Sequence, residues 1–313
     1  MKALIFPGQG SQTVGMGLEI FEKFNYVKKI FEQADDILRF NLSKIILEGP
    51  DEKLKLTENA QPAILTISYS MFKVLKEEFD IKPNFFQYFA GHSLGEYSAL
   101  VCSGSLAFND ALYLLNERGK AMQEAVPVGK GKMVAVLGLN SSEIEDIVKK
   151  NKNIKGVCEI ANDNADGQII VSGETSSIEI FQNCLKEKKI KTIPLKVSAP
   201  FHCSLMKPAA EKMKKKIINT KFNKPNVKVF NNVNANIESN PDSIKKLLIE
   251  QIFSTVKWRD ILINMSNLGV SNFFEIGPGK ALSGMVKRTI KNANSFSINS
   301  LDDIKNLNDK IKR

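Results

Sequence analysis

The sequence predicts an α/β fold in which a parallel-sheet body carries a smaller inserted unit. Three observations point there. Short apolar runs alternate with helical patterns in the first part of the chain, the rhythm of a parallel sheet with crossover helices. From about Lys132 to Val197 the order becomes β-α-β-β-α-β, that of a ferredoxin-like unit. After it, strands and helices alternate again.

Each element has a local reason. Ala3 to Phe6 is an apolar run that reads as the first strand. Phe85 to Ala90 is aromatic and apolar enough for a buried strand, and Glu96 to Val101 opens a helical run. Asn109 to Ala125 is helical. In the inserted unit, Met133 to Leu139 reads as a strand, and Ser141 to Asn151 as a helix capped by Ser141 or Ser142. Val157 to Asn162 and Gln168 to Gly173 read as strands joined through Asn164 and Gly167. Ser176 to Lys189 reads as a helix and Lys191 to Val197 as the fourth strand. Beyond it come a helix over Met206 to Ile218, a strand over Val227 to Val233, a helix over Ile244 to Phe253, and a strand over Phe273 to Ile276 that ends in the turn Gly277-Pro278-Gly279. From Ser300 the tail places Leu301, Ile304, Leu307 and Ile311 at helical spacing. The expected division is a large domain of residues 1–128 and 198–313 around an inserted domain of residues 129–197.

Composition narrows the function classes. At 313 residues, with 43% hydrophobic and 25% charged residues, the chain fits a soluble globular protein. No apolar run approaches a membrane span, and Met1-Lys2 leads straight into the first strand with nothing like a signal peptide. Cys102, Cys158, Cys184 and Cys203 are far apart and read as reduced thiols, neither a disulfide framework nor a zinc site. A cytoplasmic protein is expected. The formal charge is +10. Most lysines are scattered, but Lys212, Lys214, Lys215 and Lys216 crowd one helical segment, as either a solvated face or a dock for something acidic. No aromatic residues interleave with them to stack bases, which argues against nucleic acid.

The chemistry centres on Gly91-His92-Ser93-Leu94-Gly95, which fits the Gly-x-Ser-x-Gly turn that exposes a serine between strand and helix. Such a serine becomes a nucleophile when a base reaches it. The chain has two histidines, and the turn points His92 away from Ser93, which leaves His202 as the candidate base. Its orienter is Asp163, Asp166 or a backbone carbonyl. Gly8-Gln9-Gly10-Ser11-Gln12 follows the first strand, but Thr13 stands where a dinucleotide fingerprint needs glycine, and no Gly-Lys-Ser/Thr follows. The loop is either a plain turn or a source of backbone N–H groups for an oxyanion, with Gln9 and Leu94 as the two donors. Arg118 falls in the apolar stripe with Leu115 and Met122. A guanidinium there pairs with a protein carboxylate, snorkels to solvent, or awaits a substrate carboxylate.

Taken together, Gly8-Gln9-Gly10-Ser11-Gln12, Gly91-His92-Ser93-Leu94-Gly95-Glu96, Arg118-Gly119-Lys120-Ala121-Met122, Asn162-x-Asn164, Phe201-His202 and Gly277-Pro278-Gly279-Lys280 occur in one order. From Met1 to about Arg288 the chain resembles the malonyl-CoA:acyl carrier protein transacylases of bacterial-type fatty acid synthesis. The resemblance implies an α/β-hydrolase-like body with the ferredoxin-like insertion. It implies Ser93 as nucleophile, His202 as base and then acid, Gln9 and Leu94 as oxyanion donors, and Arg118 as the seat of the malonyl carboxylate. It also implies Gln251 as the orienter through its backbone carbonyl, His92 and Asn162 as supporting site residues, and Phe201 as a wall against branched acyl groups. The implied partners are malonyl-CoA and an acidic acyl carrier protein, with no metal or redox cofactor, no nucleic acid and no membrane; a monomer is expected. Lys207 to Lys216, Lys280, Lys287 and Arg288 are the implied carrier dock. One departure is local: the family usually has proline before Val-x-Trp, and here Thr255 precedes Val256-Lys257-Trp258. The rival reading is a serine hydrolase or thioesterase, which would give His202 a carboxylate and need no Arg118; a non-enzymatic carrier-binding scaffold would need neither Ser93 nor His202.

Overall fold

The computed structural model describes residues 1–195, 197 and 199–312, with side-chain detail through 307. Among the described residues the strands are β1 (Lys2–Phe6), β2 (Tyr88–Gly91), β3 (Gly131–Leu137), β4 (Cys158–Ala165), β5 (Gln168–Glu174), β6 (Thr192–Pro194), β7 (Lys228–Phe230), β8 (Ile237–Glu238), β9 (Asn272–Ile276) and β10 (Asn294–Ile298). They form a large sheet in the order β10-β9-β1-β2-β7-β8 and a small one in the order β4-β5-β3-β6. In the large sheet every pair is parallel except β7 with β8.

Both faces of the large sheet are covered, as the crossover helices of a parallel sheet require. Leu4 and Phe6 of β1 enter one core, whereas Ala3 and Ile5 enter a second core with Trp258 and Ile261 on the opposite face. This period of two follows from the pleat. The small sheet is antiparallel throughout. Val134, Val136, Ile169 and Val171 pack on its own helices, while Met133, Ala135 and Ile170 turn toward the body. Between the two sheets runs a seam. Val256 exchanges backbone bonds with Ala161 and Asp163 of β4, and the Thr255 hydroxyl donates to the Ile160 carbonyl. A proline at position 255 has no donor for that bond.

The differences from the sequence reading lie at element ends. Pro83–Phe85 is a 3₁₀ turn, so β2 begins at Tyr88 and runs one residue beyond Ala90. The helix Ser141–Lys150 is capped by Asn140, not Ser141 or Ser142. Asn140 accepts from the Glu143 N–H and Glu143 accepts from the Asn140 N–H. The two serines are engaged elsewhere, Ser141 on Asp163 and Ser142 on Asn140. Asn164 lies inside β4 instead of in the turn, because β4 continues through two register shifts to Ala165. The fourth strand of the small sheet is only Thr192–Pro194; Lys196, part of the expected strand, and Ser198, at the expected domain boundary, lie outside the described residues. The strand expected over Val227 to Val233 shortens to Lys228–Phe230, because Asn231 turns back on Asn234 and Asn236. The helix Pro241–Gln251 starts earlier than Ile244, at a cap where Asn240 accepts from Asp242 and Ser243. The tail forms the helix Leu301–Lys312 and buries Leu301, Ile304 and Leu307; the Ile311 side chain lies outside the described detail.

Candidate active site

Phe6 and Gly91 are register partners at the ends of β1 and β2, so the Gly8–Gln12 loop and the serine turn leave the sheet side by side. This is the carboxyl edge where parallel sheets hold their ligands. The glycines of the turn are dictated by space. A Cβ on Gly91 would stand 1.8 Å from the Gly95 carbonyl oxygen, and one on Gly95 would stand 2.3 Å from that of Phe6. Between them Ser93 has φ 53°, in the left-handed region, at a cost of about 1–2 kcal/mol for a residue with a Cβ. The strain is held by a bond from the Ser93 N–H to Asn232 Oδ1 at 2.7 Å and by the helix Gly95–Cys102 that follows.

His202 meets Ser93 from the chain that returns out of the small sheet. Its Nε2 lies 2.8 Å from Ser93 Oγ, and its Nδ1 lies 2.9 Å from the Gln251 carbonyl oxygen. A carbonyl can only accept, so Nδ1 carries the proton and Nε2 is free to take one from the serine. Like Ser93, His202 is left-handed, at φ 57°. Burial, and then the nearby Arg118 cation, push its pKa down to about 3, which keeps the imidazole neutral. Neither aspartate considered as orienter reaches it. Asp163 takes a two-pronged contact from Arg259 at 2.9 and 3.0 Å, and Asp166 lies 3.6 Å from the same guanidinium.

Arg118 is 1% exposed, which rules out snorkelling. Its Nη1 donates to Gln61 Oε1 at 2.8 Å, and its Nη2 to Gln251 Oε1 at 2.9 Å and to Ser93 Oγ at 3.1 Å. Nε has no hydrogen-bond partner among the described residues, and none of their carboxylates stands within ion-pair distance. The protein therefore surrounds this cation with neutral oxygens. Burial lowers its pKa accordingly.

The remaining expected residues gather around the same point. Gln9, His92, Ser93, Arg118, Asn162, Phe201 and His202 all line one cavity of about 410 Å³. Gln9 Nε2 donates to Thr57 Oγ1 at 3.2 Å. His92 turns away from the serine and bonds Asn164 Oδ1 at 2.8 Å through Nε2. Leu94 is buried as the first residue after Ser93. Gln251 is 1% exposed and reaches Ser93, Glu96 and Arg118 with its side chain. Met122, Met133 and Leu195 complete an apolar wall beside Phe201.

Three residues of the network have no role assigned from the sequence, although Glu96 ends the Gly91–Glu96 motif. Asn232 accepts from the Ser93 N–H and donates Nδ2 to the Gly91 carbonyl at 2.8 Å, clamping the turn. Gln61 holds Arg118, and Glu96 holds Gln251. Only Glu96 carried a signal, as an acid placed in an otherwise apolar helix. The crowded lysines prove partly committed within the chain. Lys212 pairs with Glu124, Lys214 with Glu211 and Lys216 with Glu117. All four cysteines are free thiols. Among the described residues no group of three or more His, Cys, Asp or Glu could hold a metal, and no helix is long and apolar enough to cross a membrane.

Comparison with known proteins identifies the family. Residues 3–308 match the family described as acyl transferase domain. The chain is 43% identical over 303 residues to the malonyl CoA-acyl carrier protein transacylase of Bacillus subtilis, covering 96% of this chain and 94% of that one. It superposes with TM-score 0.95 and 39% identity on the acyl-carrier-protein-S-malonyltransferase of Bartonella henselae, covering 100% and 99% of the two chains. A malonyl-transacylase solved in complex with its type II PKS acyl-carrier protein matches at TM-score 0.94 and 35% identity over 99% of each chain.

Proposed function

We propose, for a chain that belongs to the acyl transferase domain family and is an acyltransferase, a two-step transfer of malonyl from malonyl-CoA to the pantetheine thiol of acyl carrier protein. The pathway served is fatty acid biosynthesis, in the cytoplasm. In the first step Ser93 Oγ attacks the thioester carbonyl while its proton passes to His202 Nε2. The oxyanion faces the backbone N–H groups of Gln9 and Leu94. Collapse expels coenzyme A sulfur, which takes the proton from His202, and leaves a malonyl ester on Ser93. In the second step the carrier thiol gives its proton to His202 and attacks the ester. The proton then returns to Ser93 as the alkoxide leaves, and the thioester is on the carrier. No metal or redox cofactor takes part.

The observation that carries this reading is Arg118. A buried guanidinium 3.1 Å from the nucleophile, without a carboxylate of its own, suits a substrate with a free carboxylate held by a two-pronged bond. The malonyl carboxylate would also offset the cation that helps depress the His202 pKa, so the base strengthens when the right substrate is bound. Phe201, with Met122 and Met133, adds bulk to the cavity lining, which suits an unbranched acyl group. Residues 129–197 are read as the inserted domain whose Asn162 and Met133 close the cavity. Lys280, Lys287 and Arg288 are proposed to meet the acidic carrier, joined by the part of the Lys207–Lys216 helix not committed to its own acids.

The hydrolase reading loses ground because the His202 partner is a carbonyl, not a carboxylate. The deciding experiment is intact mass after brief mixing with malonyl-CoA. One malonyl adduct on the wild type, none on Ser93→Ala, and discharge by holo carrier are expected. Free malonate without an adduct would favour the hydrolase.

A further inference from the structure

Glu96 is a buried carboxylate that the two transfer steps do not use. It is 3% exposed, and among the described residues no cation lies within ion-pair distance of it. An acid placed so needs a reason, because burying it is costly unless its oxygens are well bonded. Its Oε2 accepts from the Gln251 side chain at 2.8 Å and from the Asn232 backbone N–H at 3.0 Å.

Those two bonds meet the catalytic constellation from behind. The Gln251 amide nitrogen is enclosed by acceptors, Glu96 Oε2 at 2.8 Å and the Ser93 carbonyl at 3.1 Å. Only the NH₂ end of the amide can face them, so the oxygen end must face Arg118 Nη2, at 2.9 Å. Were the amide reversed, its oxygen would meet Glu96 and its NH₂ would push the guanidinium away. Asn232, held by the same Glu96 oxygen, clamps the serine turn through its side chain. A carboxylate placed directly on Arg118 would neutralise the guanidinium; one amide between them aims it and keeps its bonded partners uncharged.

We propose that Glu96 is a positioning residue for recognition of the substrate carboxylate, acting through the Gln251 amide to hold Arg118 in place. The inference rests on the malonyl reading above. It assigns the work to an acceptor oxygen; burial pushes the Glu96 carboxyl up to about 7, against the pull of its bonds to Gln251 and Asn232 and of the Arg118 cation. A protonated Glu96 still offers its carbonyl oxygen to the same two donors.

The test measures acylation of Ser93 by malonyl-CoA and by acetyl-CoA, as kcat/KM, alongside thermal stability. Glu96→Asp draws the oxygen back by one methylene, and Glu96→Met removes it at similar volume; Glu96→Gln keeps an acceptor. The malonyl-over-acetyl ratio is expected to fall at least tenfold in the folded Asp and Met variants and to stay within threefold in Gln. Equal losses for both substrates, or an unchanged ratio in Asp, would overturn the proposal. If Met does not fold, Asp and Gln decide it between them. Arg118→Ala runs in parallel. A ratio unchanged there sinks the malonyl reading itself, whereas a ratio lost in Arg118→Ala but kept in Glu96→Asp sinks only the role of Glu96.

Discussion

Among the described residues, Arg118 and Arg259 are the two most enclosed arginines, and their surroundings differ in kind. Arg259 sits at the seam between the sheets, 27% exposed at its side chain, with Asp163 in a two-pronged contact and Asp166 and Asp260 close by. Those bonds push its pKa up. Arg118 lies deep in the body among two amide oxygens and a hydroxyl, and burial pushes its pKa down. One arginine is finished by the protein, and its work is to join two layers. The other has only neutral partners, and on the malonyl reading its work begins when a substrate supplies the anion. On that reading, partner chemistry, more than burial, separates a structural cation from a binding one.

Four measurements can break or sharpen that contrast. The largest effect is expected at Ser93, the proposed nucleophile that Arg118 touches: Ser93→Ala should lower transfer by at least ~10³-fold, measured as carrier acylation, since a group acting in concert with its base is not replaced by its neighbours. Next comes Arg118→Met. Malonyl-CoA acylation should fall roughly 100-fold relative to acetyl-CoA, as suits loss of a charge-assisted bond. Its denaturant midpoint should change little, because removing a buried charge without a bonded counterion offsets the loss of its bonds to Gln61 and Gln251. A clear loss of stability would show that Arg118 is as structural as Arg259. Arg259→Met should do the reverse, losing about 2 kcal/mol of stability because Asp163 is left buried without its cation. Acylation per folded molecule should change less than threefold; a collapse of activity would place the seam inside the chemistry.

The smallest effect concerns pH. A histidine whose folded pKa lies below its ordinary 6.5 releases its proton on folding. Its contribution to stability is whole above pH 6.5 and is lost as pH falls from there toward about 3. The same shift keeps the base neutral in the free enzyme, so kcat/KM for acylation should vary less than about twofold between pH 7.5 and 5.5. A limb near 6.5 would mean that water reaches His202 and that the neutral pocket around Arg118 is not closed.

The structure also explains why some residues could be read in advance and others could not. Gly91, Ser93 and Gly95 are legible because a serine squeezed between β2 and a helix has room for nothing larger beside it. His202 was legible by elimination, and Arg118 by its place in an apolar stripe. Cap and strand ends were less so. Ser141 and Asn140 are both good caps, and the choice fell to Asn140 because Asp163 of a neighbouring strand claims the Ser141 hydroxyl. The pairing of Lys212 and Lys216 is not legible in the sequence because Glu124 and Glu117 belong to a different helix.

What the sequence determined by itself was local: the turn that exposes Ser93, the periodicities of two and 3.6 that set the layers, and the residue types able to do acyl chemistry. What only the tertiary structure decided was partnership. Gln251 meets Ser93 across 158 residues, and Arg118 meets Gln61 across 57. The orienter of His202 is a backbone carbonyl, a group every residue carries, so no side chain could have announced it. Periodicity acts between neighbours along the chain, whereas a buried polar group is satisfied by whatever the packed layers bring within 3 Å, and that is known only once they have packed.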